Sequence, residues 1–338
     1  MKHVFHRRSG FAAIAVLAAL ALSDAKAQSS PDPECKASTM ILPSGALYPN
    51  GIARANNGAL YVGLVTSGKI LSKRPDQDWQ VFFEGNEQVF SGTTLRLDEK
   101  RGLLWGNSPD FIPSGETRPH RIFAIETSTG KQRVDVLVPN GGMGNDIALA
   151  PDGTVFLTET KNGGILRLQP DTDQLQAIVS DGRLNGGTGG IGAAGIVYLN
   201  NQTLIVSNFG TGKLYVVNNV DTETPTLREI QLPRLIENPD GMALAPDGSL
   251  IVLENAINSG QGRILRIREP LAADMRNIEV LRDGLENPVN LTISPQGCAF
   301  VSEARIRHRL LPGMEANVPD EFRILELPLP SGASDDAQ

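Results

Sequence analysis

An all-β chain closed into a six-bladed β-propeller is the fold class that the sequence predicts. Three observations lead there. One unit of short apolar runs recurs six times, most copies carry a Gly-containing hairpin turn, and no 3.6-residue period is sustained beyond residue 27. A β-solenoid is the competing repeat architecture, but its repeats are shorter and rarely place a hairpin in every unit.

The clearest copies span residues 146–161 (DIALAPDGTVFLTETK) and 241–256 (GMALAPDGSLIVLENA). Weaker ones span 51–65 (GIARANNGALYVGLV) and 195–209 (GIVYLNNQTLIVSNF), and the least regular are 93–108 and 290–305. Their first runs begin near Ile52, Thr94, Ile147, Ile196, Met242 and Leu291, a spacing of about 42 to 53 residues, which suits one propeller blade each. The turns Asn57-Gly58, Asp152-Gly153, Asp247-Gly248 and Gln296-Gly297 suit tight hairpins, because glycine accepts the positive φ required there. Third strands are legible at 164–169, 213–217, 263–267 and 322–327. The propeller is expected to occupy residues 38–330, with 38–43 supplying the outer strand of the sixth blade and so closing the ring.

Ahead of it, Lys2 to Arg8 is basic, Phe11 to Leu22 is apolar, and Ala25-Lys26-Ala27 has the A-x-A form of a cleavage site. That pattern predicts a secretory signal over 1–27; its apolar core is too short to span a bilayer. Export would be to the periplasm or the medium, with 28–37 a linker and the polar tail 331–338 disordered. An exported chain can hold a disulfide, and Cys35 and Cys298 are its two cysteines. If 38–43 joins the sixth blade, Cys35 falls beside the Gln296-Gly297 turn, so a bridge between them is expected. The alternative is two separate thiols.

Composition narrows the function. Hydrophobic residues at 40% and charged residues at 20% exclude a multi-span membrane protein and a disordered chain. The net charge of −7 becomes −10 once Lys2, Arg7, Arg8, Lys26 and Asp24 are removed, which disfavours nucleic acid. A small-molecule substrate is expected, with no membrane insertion of the mature chain; no protein partner is indicated.

In an antiparallel blade, the residue before the first strand and the end of the second strand share one face. Those positions read Asn50, Asn145, Asp146, Asp240 and Asn290, then Asn107, Glu159, Asn208, Glu254, Asn255 and Glu303. Such an oxygen-rich rim suits one hard divalent cation, calcium above all. Asn50, Asn145, Asp240 and Asn290 are the candidate ligands; Asn107, Asn208 and Glu254 are candidate substrate contacts. Singly, each is also an ordinary turn residue. The two histidines beyond residue 27, His120 and His308, fall in loops expected at the same mouth and could serve as general bases. Phe90, Phe111 and Phe209 either shape a pocket or pack between blades. No Gly-x-Ser-x-Gly elbow and no zinc-type ligand cluster is present.

Residues 144–154 (GNDIALAPDGT) and 238–249 (NPDGMALAPDGS) resemble two segments of the SMP-30/gluconolactonase family of six-bladed propellers, to which paraoxonases are more distantly related. The resemblance extends in layout over nearly the whole mature chain. It implies one axial divalent cation and hydrolysis of lactones or related esters. It would make Asn145 a metal- or substrate-binding residue and Asp240 a metal ligand and general base. Two positions depart: Asn50 stands where the family has a glutamate, and Ala194 where it has an asparagine. A paraoxonase-like variant would accommodate Asn50 and Asn290. Two other readings compete, namely a non-catalytic binding propeller and a metal-free enzyme resembling strictosidine synthase, with Glu303 as its acid. Calcium dependence and turnover separate the three.

Overall fold

In the computed structural model, the described residues are Met1 and 35–330, apart from 113, 114, 116, 188, 189 and 201. The expected signal segment beyond Met1, most of the linker and the 331–338 tail lie outside the described residues.

Six four-stranded antiparallel sheets follow one another along the chain. Their first strands are Pro49–Arg54, Thr94–Asp98, Gly144–Leu149, Ala193–Leu199, Pro239–Leu244 and Pro288–Ile293, in blades 1 to 6. Each first strand touches those of the two neighbouring blades, and blade 6 touches blade 1, so the ring is closed. Closure is as expected: Ser38–Ile41 pairs antiparallel with Arg323–Pro328 and is the outer strand of blade 6. The Cys35–Cys298 disulfide ties the same two chain ends, with Cα atoms 5.7 Å apart.

The hairpin turns have the chemistry their sequences suggest. Gly58, Gly153, Gly248 and Gly297 all have positive φ, between 80° and 101°. Asp152 and Asp247 accept the backbone N–H two residues on, which holds each turn.

Six apolar clusters, one in each seam between neighbouring blades, form the core. Ile147 and Leu157 of blade 3 meet Trp105 and Ile122 of blade 2, and the other seams repeat the arrangement. Inner strands are therefore buried on both faces, which is why they read as continuous apolar runs with little polar alternation. Among the described residues the one departure from strand and turn is short: 3-10 turns and the single helical turn Arg307–Leu310.

Candidate functional site

Five of the six first strands begin with a β-bulge. Register slips between Pro49 and Ile52, Gly144 and Ile147, Ala193 and Ile196, Pro239 and Met242, and Pro288 and Asn290. A bulge leaves a residue unpaired and re-aims it. The bulged pairs are Asn50-Gly51, Asn145-Asp146, Ala194-Gly195 and Asp240-Gly241, with Val289 in blade 6. Glycine at the second position has a packing cause: a Cβ on Gly195 would lie 2.0 Å from the Asp240 carbonyl oxygen, and one on Gly241 2.6 Å from that of Val289. The bulges of blades 4, 5 and 6 thus nest one against the next.

These bulges bring Asn50, Asn145, Asp146, Asp240 and Asn290 to one cavity, together with Asn255, Thr93 and Thr160. Its remaining walls come from loops and include Phe111, Met143, Ile191, Phe209, Ile257 and Leu310. Of the three phenylalanines left open by the sequence, Phe111 and Phe209 line the cavity. Phe90 does not; it is buried beneath the Arg118 guanidinium, 3.6 Å from its ring centroid.

Below the cavity an ion pair crosses the channel. Arg96 Nη2 of blade 2 donates to Asp146 Oδ1 and Oδ2 of blade 3 at 2.7 and 2.9 Å. Arg96 Nη1 donates to Asn290 Oδ1 of blade 6 at 2.9 Å. Asp146 is 2% exposed and also accepts from Thr94 Oγ1 and the backbone N–H groups of Ile147 and Ile196, so its charge is fully met. On the far side of Arg96 the channel continues as a separate 360 Å³ space lined by first-strand residues of all six blades.

Asp240 has no such partner. Its Oδ2 accepts one hydrogen bond, from Asn255 Nδ2 at 2.9 Å. Burial pushes the carboxyl up to about 7, against the pull of the Asn255 bond and with a further push from the Asp146 charge. Asn255 is aimed by Asn287, whose Nδ2 donates to Asn255 Oδ1 at 3.0 Å, while Asn287 Oδ1 accepts the Arg307 N–H at the start of the helical turn.

The donor set can be tested against a cation. Asn50 and Asn145 line the cavity, and neither side-chain amide bonds to another described residue. With Asp240 they offer two amide oxygens and one under-compensated carboxylate, all hard donors, and these fit a divalent cation such as calcium. Asn290, the fourth expected ligand, also lines the cavity, but its Oδ1 accepts from Arg96 and from the Leu291 N–H. Ala194 offers no side-chain donor, as the sequence indicates.

The expected substrate contacts Asn107, Asn208 and Glu254 do not line this cavity. Second-strand ends point into the loops and hold their backbone. Asn208 donates to the Arg183 and Asn185 carbonyls and accepts from the Thr211 N–H. Glu254 accepts from the Glu237 N–H, Arg234 and Arg263; burial would raise its carboxyl, but these donors outweigh it and hold it below the usual range. Glu303 and Glu159 clamp the Glu286 and Met143 N–H groups in the same way. Asn107 accepts from Thr93 Oγ1 and donates to the Asn145 carbonyl, so it supports the site from behind.

The histidines are likewise not in the cavity lining. His308 Nε2 lies 2.7 Å from Glu286 Oε1. His120 is buried and its Nδ1 meets no partner among the described residues; burial pulls it below its ordinary value, with Asp110 opposing. Sequence reasoning missed Arg96. Its signal was a lone guanidinium inside the first strand of blade 2, where a buried charge must find a counter-charge.

No protein-family model and no curated protein sequence matches the chain. Solved structures match its fold. A gluconolactonase from Xanthomonas campestris superposes with a TM-score of 0.61 at 16% identity, over 86% of this chain and 90% of the other. A luciferin-regenerating enzyme gives 0.62 at 11% identity, over 87% and 96%. Virginiamycin B lyase from Staphylococcus aureus gives 0.56 at 15%, over 87% and 100%. The activities these three proteins are named for differ from one another, so the likeness is one of architecture. On that ground the chain has an SMP-30/gluconolactonase-like six-bladed propeller fold.

Proposed function

We propose that the cavity is the active site of a hydrolase that opens a lactone or a related carboxylic ester. The observation that carries this reading is Asp240. A carboxylate with no cation facing it shares one enclosed cavity with two uncommitted amides, Asn50 and Asn145. With no cation beside it, the raised Asp240 carboxyl is suited to accept a proton near neutral pH, since a base works best when its pKa lies near the working pH, and a bound cation would lower it. Water attacks the ester carbonyl as Asp240 takes its proton; the C–O ester bond breaks, and that proton passes to the leaving alkoxide. Asn255, held by Asn287, keeps Asp240 oriented through the cycle.

Asn50, Asn145 and Asp240 would hold a divalent cation, calcium being the best match, which when bound would polarise the carbonyl and stabilise the oxyanion. One carboxylate is a small charge for such a site, so affinity should be on the order of 0.1–1 mM, the range of low-charge extracellular calcium sites. The protein is read as exported, and the Cys35–Cys298 bond supports this, since disulfides persist in oxidising compartments.

The test is hydrolysis of a lactone and ester panel by residues 28–338, followed by proton release, with calcium and after chelation. Turnover removed by chelation and restored by calcium supports the whole reading. Turnover that survives chelation assigns the chemistry to Asp240 and the amides without a cation. No turnover with the fold intact would overturn the hydrolase reading in favour of a binding propeller.

A further inference from the structure

The cavity divides sharply by polarity. Its inner end is built from strand starts and carries Asn50, Asn145, Asp146 and Asp240. Its walls are built from loops of different blades, and these supply Phe111, Met143, Ile191, Phe209, Ile257 and Leu310. Among the described residues no lysine, arginine or histidine lines it. At the mouth, Ile191 and Leu310 remain 38% and 36% exposed, so the apolar wall continues to the opening.

The polar groups of the lining are mostly committed. Thr93 Oγ1 is bonded to Asn107, Asp146 and Asn290 to Arg96, and Asn255 to Asp240 and Asn287. Beyond Asn50, Asn145 and Asp240, the spare side-chain group in the lining is the Thr160 hydroxyl, which is buried with no partner among the described residues. A polyhydroxylated sugar lactone would therefore bury several hydroxyls against hydrocarbon. Each unpaired one weakens binding by a factor of roughly five or more. A hydrocarbon arm meets the opposite situation, gaining about fourfold for each methylene it buries.

The geometry points to a substrate with a single polar head and an unsubstituted hydrocarbon arm: an alkyl-substituted lactone or a fatty or aryl ester. The carbonyl faces Asn50, Asn145 and Asp240 while the arm lies along Phe111, Phe209, Ile257 and Leu310. This inference rests on the hydrolase reading for its chemistry, but the shape and polarity of the cavity stand apart from turnover.

The experiment compares γ-lactones bearing arms of one to six carbons with glucono-1,5-lactone, using residues 28–338 with and without calcium. We expect kcat/KM to rise about threefold or more per methylene until the arm clears the mouth, with the sugar lactone at least 100-fold below the longest arm. Leu310→Ser and Phe209→Ser, checked for intact fold by circular dichroism, should flatten that gradient. A flat or falling series, or preference for the sugar lactone, would overturn the inference while leaving the hydrolase reading in place. If nothing turns over, binding of 5-alkyl-2-pyrrolidinones, which resist hydrolysis, is followed by calorimetry. A Kd that tightens with arm length then supports the apolar cavity although the hydrolase reading has failed; a Kd independent of arm length overturns both.

Discussion

Replacing Asp240 by asparagine should make the protein's stability less dependent on pH, and the size of the change follows from the site. The carboxyl sits at about 7 in the folded chain, against an ordinary value of about 3.8. Because the folded value is raised, the folded state holds the proton more tightly than the unfolded one. The contribution of Asp240 to stability is thus fullest below about pH 4, is lost as pH rises to about 7, and is level above that. A proton held that much more tightly corresponds to about 4 kcal/mol, and the cavity's opening to solvent lowers this to roughly 2–4 kcal/mol. Asparagine keeps the Asn255 hydrogen bond with its own oxygen and never ionises. Urea unfolding of chelated wild type and Asp240→Asn from pH 4 to pH 8 isolates the effect, since every other titrating group is common to both. The wild type should lose about 2–4 kcal/mol more than the variant across that window, and millimolar calcium should restore part of it at pH 8. Parallel curves, differing by less than about 1 kcal/mol over the whole range, would refute the account of an under-compensated buried carboxylate.

Arg96→Met should destabilise the fold by about 3–5 kcal/mol, because Asp146 would stay buried without its counter-charge. Adding Asp146→Asn should recover much of that loss, which a double-mutant cycle in urea would measure. Asn50→Glu should tighten calcium binding by about tenfold or more, read by titration calorimetry, by restoring a second negative charge to the donor set. Gly195→Ala should cost about 1–3 kcal/mol and reduce activity together, since the Asp240 carbonyl would have to move. Replacing both cysteines by serine should lower stability by about 5 kcal/mol in the loop-entropy account, given a sequence separation of 263, with activity retained below the new melting point.

Much of the fold was legible because a repeat is read from its punctuation. Asp152-Gly153 and Asp247-Gly248 mark hairpins whatever surrounds them, and four such turns within six units at blade spacing leave little choice of architecture. The bulge residues were legible for a related reason: Asn145 and Asp240 stand at one fixed place in the unit, so symmetry carried them to the axis. Asn107, Asn208 and Glu254 stand at an equally fixed place, yet their side chains serve loops. Strand position gives the end of the blade but not whether a side chain meets the channel or a backbone N–H of the preceding loop. His120 and His308 lie in long connections, where no periodicity constrains direction. Arg96 is a different failure. It sits between Leu95 and Leu97, which pack in the seam with blade 1, and its partner Asp146 lies 50 residues on in another blade, so only the assembled ring brings the pair together.

Blade 6 is assembled from both ends of the chain, with Ser38–Ile41 laid along Arg323–Pro328. During synthesis, Ser38–Ile41 emerges ahead of the other described strands and is the last of them to find its place, waiting while five blades form. At four residues it is short enough to offer little edge to a foreign strand in that interval. The bond between Cys35 and Cys298 can form only once that strand has docked. An intact bond is therefore a chemical record that the two segments of blade 6 have met.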